Sequence, residues 1–455
     1  MNMNTNRILQ SMAGAAMAVA MMAGAQSPAP PAPEAAASAA PAADNSAILK
    51  DIEDMKARIA QLEAQLKAQA AAAAATPAPV AAAAPAAPAA PTWSVGPMDV
   101  SGYVDAYYSF NANRPNNDSD AGQYNQLYNF NDVTNQFALS AAKLTLNHDP
   151  DPVGAHIDFL YGRTDTQVNG SSDSYTNSGA GKHIEQAFLS FKPVKAKGFE
   201  ADFGKFATSA GAEVIESKDN WNYSRSLLFA HAIPYTHIGL RTSYPLTKAW
   251  TVGVQVVNGV YGNFKSNSGV SWGFTSAYVK PKYTWSANYY TGPQNYDTQK
   301  GYLNLFDTTL LLTPTAKFSA YLNYDYGQNR VTDSNPPYHS EGLAHWQGVA
   351  IAAREQFAPK DAVAARYEFY FDPNGYTIGN GDAANCDFND NSCRTQMQEL
   401  TLTYEHKWIE GLLARVEYRH DWTNANYFTK GDYDGKVKAQ STLTAGFVAF
   451  FGPKR

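Results

Sequence analysis

The sequence predicts an all-β, antiparallel transmembrane barrel of about sixteen strands in an up-and-down meander, preceded by a coiled-coil helix between Ala/Pro-rich linkers. Three observations carry that expectation. From Pro97 onward the chain is a run of short segments in which apolar and polar residues alternate. The connections between segments alternate in length. Aromatic residues are abundant at 13%, with 28 Tyr, while charged residues are only 17%.

The N-terminal elements come first. Arg7, the apolar stretch "ILQSMAGAAMAVAMM" and "AGA" at 23–25 have the layout of a secretory signal, with cleavage expected after Ala25. Residues 26–44 and 70–92 are almost wholly Ala and Pro, the second within a linker that runs over 70–96, a composition that packs no core and favours extended spacers. At about 3.1 Å per residue the second spacer reaches roughly 70 Å. Between them, residues 45–69 place Ile48, Ile52, Met55, Ile59, Leu62 and Leu66 at alternating spacings of four and three, a heptad seam. Ile at a with Leu or Met at d leans to a dimer. Analogy with large barrels suggests a trimer, so a homo-oligomer of open order is expected.

The barrel is expected over 97–455. Its segments read as 98–110, 135–148, 153–163, 183–192, 199–207, 235–244, 249–259, 271–280, 283–291, 302–313, 317–327, 344–356, 361–372, 397–408, 411–422 and 438–451. The fifteenth, "GLLARVEYRHDW", shows why these are strands. Arg415, Glu417, Arg419 and Asp421 occupy every second position. On a helix they would step about 200° round the axis and scatter, whereas a strand puts them on one face, opposite Leu412, Ala414, Val416 and Tyr418. Arg366 and Glu368 in the thirteenth segment and Glu399 in the fourteenth repeat the pattern.

After each even segment comes a tight turn, such as "DPDP", "PLTK", "PK" or "IEG"; after odd segments come long stretches rich in Asn, Asp, Gly and Ser. A soluble sandwich has no reason to sort its turns this way. A barrel in the outer membrane of a Gram-negative bacterium does: periplasmic turns are short, external loops long and the strand count even. Lipid offers the backbone no hydrogen bonds, so closure must satisfy every strand edge. The N-terminal segment would then be periplasmic.

"GKFATSAGAE" (204–213), "NYSRSLLF" (222–229), "PYTHIGLRTSY" (234–244) and "TAGFVAFF" near the end resemble the outer-membrane β-barrel porins of the OmpL-like, porin-2 family, over about 97–451. Ser224, Arg225 and Ser226, with Thr236, His237, Gly239 and Arg241, are the most specific part. The resemblance implies a passive diffusion channel and no catalytic residues. One departure is the "GPKR" after Phe451, where such barrels end on an aromatic residue.

The third long connection, 208–234, differs from the other loops because it mixes apolar anchors with charges. By position it matches the loop that folds into sixteen-stranded porins. Glu213, Glu216, Lys218, Asp219 and Arg225 are therefore expected at a pore constriction, the acids facing wall cations such as Arg241, Arg366, Arg415 and Arg419. The lumen ladder comprises Arg241, Arg366, Glu368, Glu399, Arg415, Glu417, Arg419 and Asp421.

Competing chemistry is thin. A net charge of −6 and pI near 5.9 give no basic patch for nucleic acid. "GVSWG" at 269–273 mimics a nucleophile elbow but lacks the following helix. An outer-membrane lipase using Ser271, or Ser243 with His237, is an alternative, as is a structural anchor acting through the heptads. Asp387, Asn389 and Asn391 begin like a calcium loop, but Ser392 and Gln398 replace its Gly and Glu. No metal or cofactor is expected. Cys386 and Cys393, close together in an exported polar loop, suggest a disulfide. Partners are outer-membrane lipid and small hydrophilic solutes.

Overall fold

The computed structural model describes residues 94–95, 97–116, 124–170, 182–262, 267–332, 342–378, 395–431 and 436–452. The signal segment, both Ala/Pro-rich stretches, the heptads and the two cysteines lie outside these residues.

Sixteen long strands form the wall: β1 Met98–Asn111, β2 Gln136–His148, β3 Val153–Tyr161, β4 Ile184–Phe191, β5 Glu200–Ala207, β6 Thr236–Pro245, β7 Trp250–Val257, β8 Ser271–Lys280, β9 Tyr283–Pro293, β10 Tyr302–Leu312, β11 Phe318–Val331, β12 Gly342–Glu355, β13 Asp361–Asp372, β14 Thr395–Ile409, β15 Leu412–Thr423 and β16 Ala439–Phe451. Each pairs antiparallel with its sequence neighbours, and β16 returns to β1 in a register running from Thr442↔Asn111 to Phe451↔Gly102. That last pairing removes both edges, which is what a hydrocarbon surround demands. All sixteen expected segments are strands, with ends shifted by a few residues. The sequence did not signal the two-residue strand Ser94–Val95 beside the start of β1, nor the small hairpin of Phe428–Thr429 with Lys436–Val437.

Period-two patterning decides the faces. On β13, Val363 and Tyr367 are 44% and 40% exposed on the outside, while Arg366 and Glu368 on the inside are 1% and 0% exposed. The outer face carries a continuous population of exposed Phe, Trp, Tyr, Leu, Ile and Val, among them Phe203, Trp272, Trp285, Ile351 and Phe447. A soluble monomer does not keep so much apolar surface in water. No helix among the described residues is long and apolar enough to cross a membrane.

Short turns close one end of the barrel, and the long connections gather at the other. The longest, residues 208–235 between β5 and β6, contains a single 3₁₀ turn (Ser217–Asp219) and a π-turn (Leu228–Ala232). Three strand irregularities re-aim side chains: between Asp105 and Ala106 on β1, between Asp158 and Phe159 on β3, and between Lys407 and Ile409 on β14. Opposite the second, Glu185 of β4 is the extra residue and turns inward to Lys143.

Candidate functional site

The 208–235 connection folds into the barrel and packs on the inward faces of the wall. Two kinds of residue hold it there. Ile215, Leu227, Leu228, Phe229, Ala232 and Ile233 are buried in one cluster with Tyr290, Leu303, Leu305, Leu311, Tyr321, Trp346 and Tyr370, which point inward from β9 to β13. The barrel therefore encloses a hydrophobic core against part of its wall. Glycines make the sockets: a Cβ on Gly348 would lie 2.7 Å from Leu228 Cδ1, and one on Gly446 would lie 2.3 Å from the Tyr223 ring.

The polar half of the seat reads the loop's main chain. Glu417 accepts the N–H groups of Tyr223 (2.5 Å) and Ser224 (2.9 Å) and the Thr403 hydroxyl (2.7 Å). Glu368 accepts the N–H of Leu227, and Glu213 that of Ser226 at 2.6 Å. The arginines take the carbonyls: Arg366 donates to Ser224 O (2.8 Å), Arg419 to Arg225 O (2.8 Å), and Arg415 to Ser217 O and Asn220 O. Each arginine is balanced by acids, Arg366 by Glu213 (2.6 Å) and Glu399 (2.7 Å), Arg419 by Asp421 (2.8 Å), Arg415 by Glu405 (2.7 Å). Buried charges without such partners would cost several kcal/mol each.

The expected site residues thus fall into four groups. Arg366, Glu368, Glu399, Arg415, Glu417, Arg419 and Asp421 face inward, but all are 3% exposed or less, so they meet the loop and one another instead of open water. Among the loop acids, Glu213 reaches Arg366, whereas Glu216 meets Lys143 and Asp219 pairs with adjacent Lys218 at 2.6 Å. Arg241 lies apart from the loop acids, held by Asp202 at 2.7 Å. Arg225 staples its own loop: it donates to Tyr223 O and Ile215 O and lies 4.9 Å over the Phe130 ring.

Sequence reading missed the opposite anchor. Lys143 of β2 sits among Asp158 (2.8 Å), Glu185 (3.0 Å) and Glu216, and Asp105 of β1 accepts the hydroxyls of Ser217 (2.5 Å) and Tyr223 (2.6 Å). The three carboxylates lie within 4.8 Å of one another and the Lys143 ammonium fills the space between them. A signal was present: Lys143 is an inward-facing charge in "AAKLTLN", alternating with outward Leu144.

Burial raises the Tyr223 hydroxyl well above its usual range, with Asp105 adding to the effect, so it stays a neutral donor. Burial opposes ionisation of Glu216, but the Lys143 ammonium outweighs it and holds the carboxyl below the usual range. Burial pushes His231, whose ring is 3.4 Å from Leu127 O, down to about 4. Both groups give acid the same sign. An imidazole with a folded value below the free one (~6.5) supports the seat fully above that pH and loses its contribution as pH falls towards 4; Glu216's contribution fades below the ordinary carboxylate range. Open-channel current noise is expected to rise from pH 6.5 to 4, less so in His231→Gln; a flat trace in the wild type would refute this.

Among the described residues, neither serine of the lipase alternative has a base within hydrogen-bond distance. Ser271 is fully buried at the start of β8 with its hydroxyl unbonded among the described residues, and His237 contacts Thr208 (3.3 Å) and Tyr290. Ser243 lies six residues from His237 on one strand, about 20 Å at strand rise. Of the residues named in the calcium-like loop, Gln398 alone is among the described residues, where it accepts the Tyr367 hydroxyl at 2.7 Å. The rest, Asp387 to Ser392, falls outside them.

Residues 97–451 match the family model described as Putative beta-barrel porin-2, OmpL-like. The chain belongs to that family. It is an outer-membrane porin barrel of a Gram-negative bacterium, which sets the short turns on the periplasmic side and the long loops outside. No curated protein matches the sequence. Among solved structures it is similar to the outer membrane channel DcaP of Acinetobacter baumannii (13% identity, TM-score 0.49, covering 78% of this chain and 97% of that chain). It is also similar to OmpT of Vibrio cholerae (13%, 0.47, 78% and 97%) and to the anion-selective porin from Comamonas acidovorans (11%, 0.45, 78% and 99%).

Proposed function

We propose that the chain forms a water-filled channel for passive diffusion of small hydrophilic solutes, its bore set by the 208–235 loop lying inside the barrel. One observation carries this reading: the loop is packed against β9–β16 and β1–β2, while polar groups on the other side of the lumen keep access to water. Among the described residues, His156 and Arg241 of the wall and Glu216, Lys218 and Asp219 of the loop are charged or titratable groups left partly exposed there. The wall side offers cationic groups and the loop side chiefly acids, so a field crosses the passage with little net charge, and discrimination by size dominates over discrimination by charge.

Liposome swelling with the purified protein tests the proposal. Swelling is expected for glucose and glycine and should slow steeply from monosaccharide to trisaccharide. A folded barrel that passes none of these would leave the structural-anchor reading, in which the 45–69 heptads supply the function.

A further inference from the structure

The short turns differ in charge around the periplasmic rim of the barrel. Four successive ones, β4–β5, β6–β7, β8–β9 and β10–β11, carry Lys195, Lys197, Lys248, Lys280, Lys282 and Lys317. Glu200 is the only acid on these turns, and a further lysine, Lys192, holds it at 2.9 Å. Elsewhere on the rim the sign reverses. Asp149 and Asp151 on β2–β3, Glu355 and Asp361 about β12–β13 and Glu410 on β14–β15 stand against Lys360 and Lys407. Cations gathered on one arc without acids repel one another and attract an anionic surface.

The wall beside the arc shows what the lysines face. Register sets Trp250, Tyr278, Trp285 and Leu310 in one row across the outside of β7–β10, and the next row towards the turns is Lys280, Tyr283 and Leu312. Trp250, Trp285 and Tyr283 are exposed there. Both indole N–H groups turn away from the rim and donate to strand hydroxyls, Trp250 to Ser276 at 2.9 Å and Trp285 to Thr308 at 3.0 Å. With their donors satisfied by the wall the rings suit hydrocarbon, and the row beyond them falls at the level of the headgroups. Lys280 Nζ lies 5.2 Å from the centre of the Tyr278 ring. Its ammonium therefore runs along the outside of the barrel, where a lipid phosphate reaches it and a solute in the bore does not. Val194, 84% exposed on β4–β5, and Leu246, exposed on β6–β7, set apolar side chains among the lysines, an arrangement that suits a bilayer boundary better than open water.

We propose that this arc is a docking surface for phospholipids of net negative charge in the periplasmic leaflet of the outer membrane. A zwitterionic headgroup offers the same phosphate together with an ammonium that the lysines repel, so net charge decides between the two. Each lysine near an anionic lipid surface strengthens binding about fivefold. Flexible lysine stems suit mobile phosphates, which need no bidentate fork. The acidic part of the rim repels the same lipids, so the lipid shell is uneven, with anionic headgroups gathered along β4–β11. This surface is independent of what the bore conducts.

Native mass spectrometry of the full-length protein tests this, with phosphatidylglycerol and phosphatidylethanolamine of the same acyl chains offered in equal amounts. Phosphatidylglycerol is expected to be retained in preference, and to lose that advantage as the ammonium acetate concentration rises. Combining Lys248→Gln, Lys280→Gln, Lys282→Gln and Lys317→Gln should lower its retention at least about tenfold and leave phosphatidylethanolamine unchanged. The Lys→Arg counterpart should keep the preference, and Lys360→Gln with Lys407→Gln should alter neither lipid. Glycerol phosphate in solution should compete poorly, because it lacks the chains that lie on the aromatic row. Equal retention of the two lipids by the wild type would overturn the inference and leave the arc to an acidic periplasmic protein. An undiminished preference in the Gln variant, or full competition by glycerol phosphate, would overturn it as well. Liposome swelling should be the same for wild type and variants, so failure of this inference and failure of the channel reading are told apart.

Discussion

Removal of residues 212–228 raises the single-channel conductance by at least about twofold, because the deletion empties a lumen that the loop now shares with solute. The strands themselves lose no ladder hydrogen bond, so the barrel should still form. The deletion also uncovers Arg366, Glu399, Glu417 and Arg419, which are 2% exposed or less in the intact protein. Once wetted, those groups become a new set of titratable charges along the bore, and the conductance of the deleted protein should depend on pH and salt more steeply than that of the parent. Planar bilayer recordings at two salt concentrations read both effects. An unchanged conductance would mean that the loop does not limit the passage.

Arg366→Ala should unseat the loop without removing it. The guanidinium bridges Glu213 of the loop to Glu399 of the wall and donates to Ser224 O, all of it out of water. Truncation leaves buried Glu213 without a cation and Glu399 with Arg419 alone, at 3.2 Å, a loss of about 3–5 kcal/mol that falls on the loop before it falls on the sheet. Hydrogen exchange should show protection of the Tyr223, Ser224 and Leu227 amides collapsing while the amides of β12–β14 stay protected. Equal protection of those loop amides in wild type and variant would show that Arg366 does not hold the seat.

Much of this architecture was legible because a strand's period of two and the chemistry of its turns are local. "DPDP", "PLTK" and "IEG" mark chain reversals wherever they stand, and Arg415 to Asp421 share a face whatever lies opposite. What lies opposite was harder to read. Tyr290, Leu303, Leu305 and Leu311 point inward, and a lumen was expected to be polar. The segment "YLNLFDTTLLL" is apolar on both faces, and that two-sidedness was the available sign that something dry packs inside the barrel. Glu216 and Asp219 meet cations other than the named arginines for a related reason. Loop acids seek the nearest cation in space, and for Glu216 this was Lys143, whose proximity depends on how far the loop crosses the bore. Asp219 found Lys218, its own neighbour.

The seat's use of peptide groups gives this chain an unusual latitude. Glu417, Glu368, Arg366, Arg415 and Arg419 grip main-chain N–H and C=O groups, so this part of the grip does not depend on the side chains at the gripped positions. Positions such as Lys218 and Asp219, whose side chains reach water, can change sign or size without loosening the anchor. Permeation chemistry can therefore change by single substitutions while the scaffold that presents it stays put.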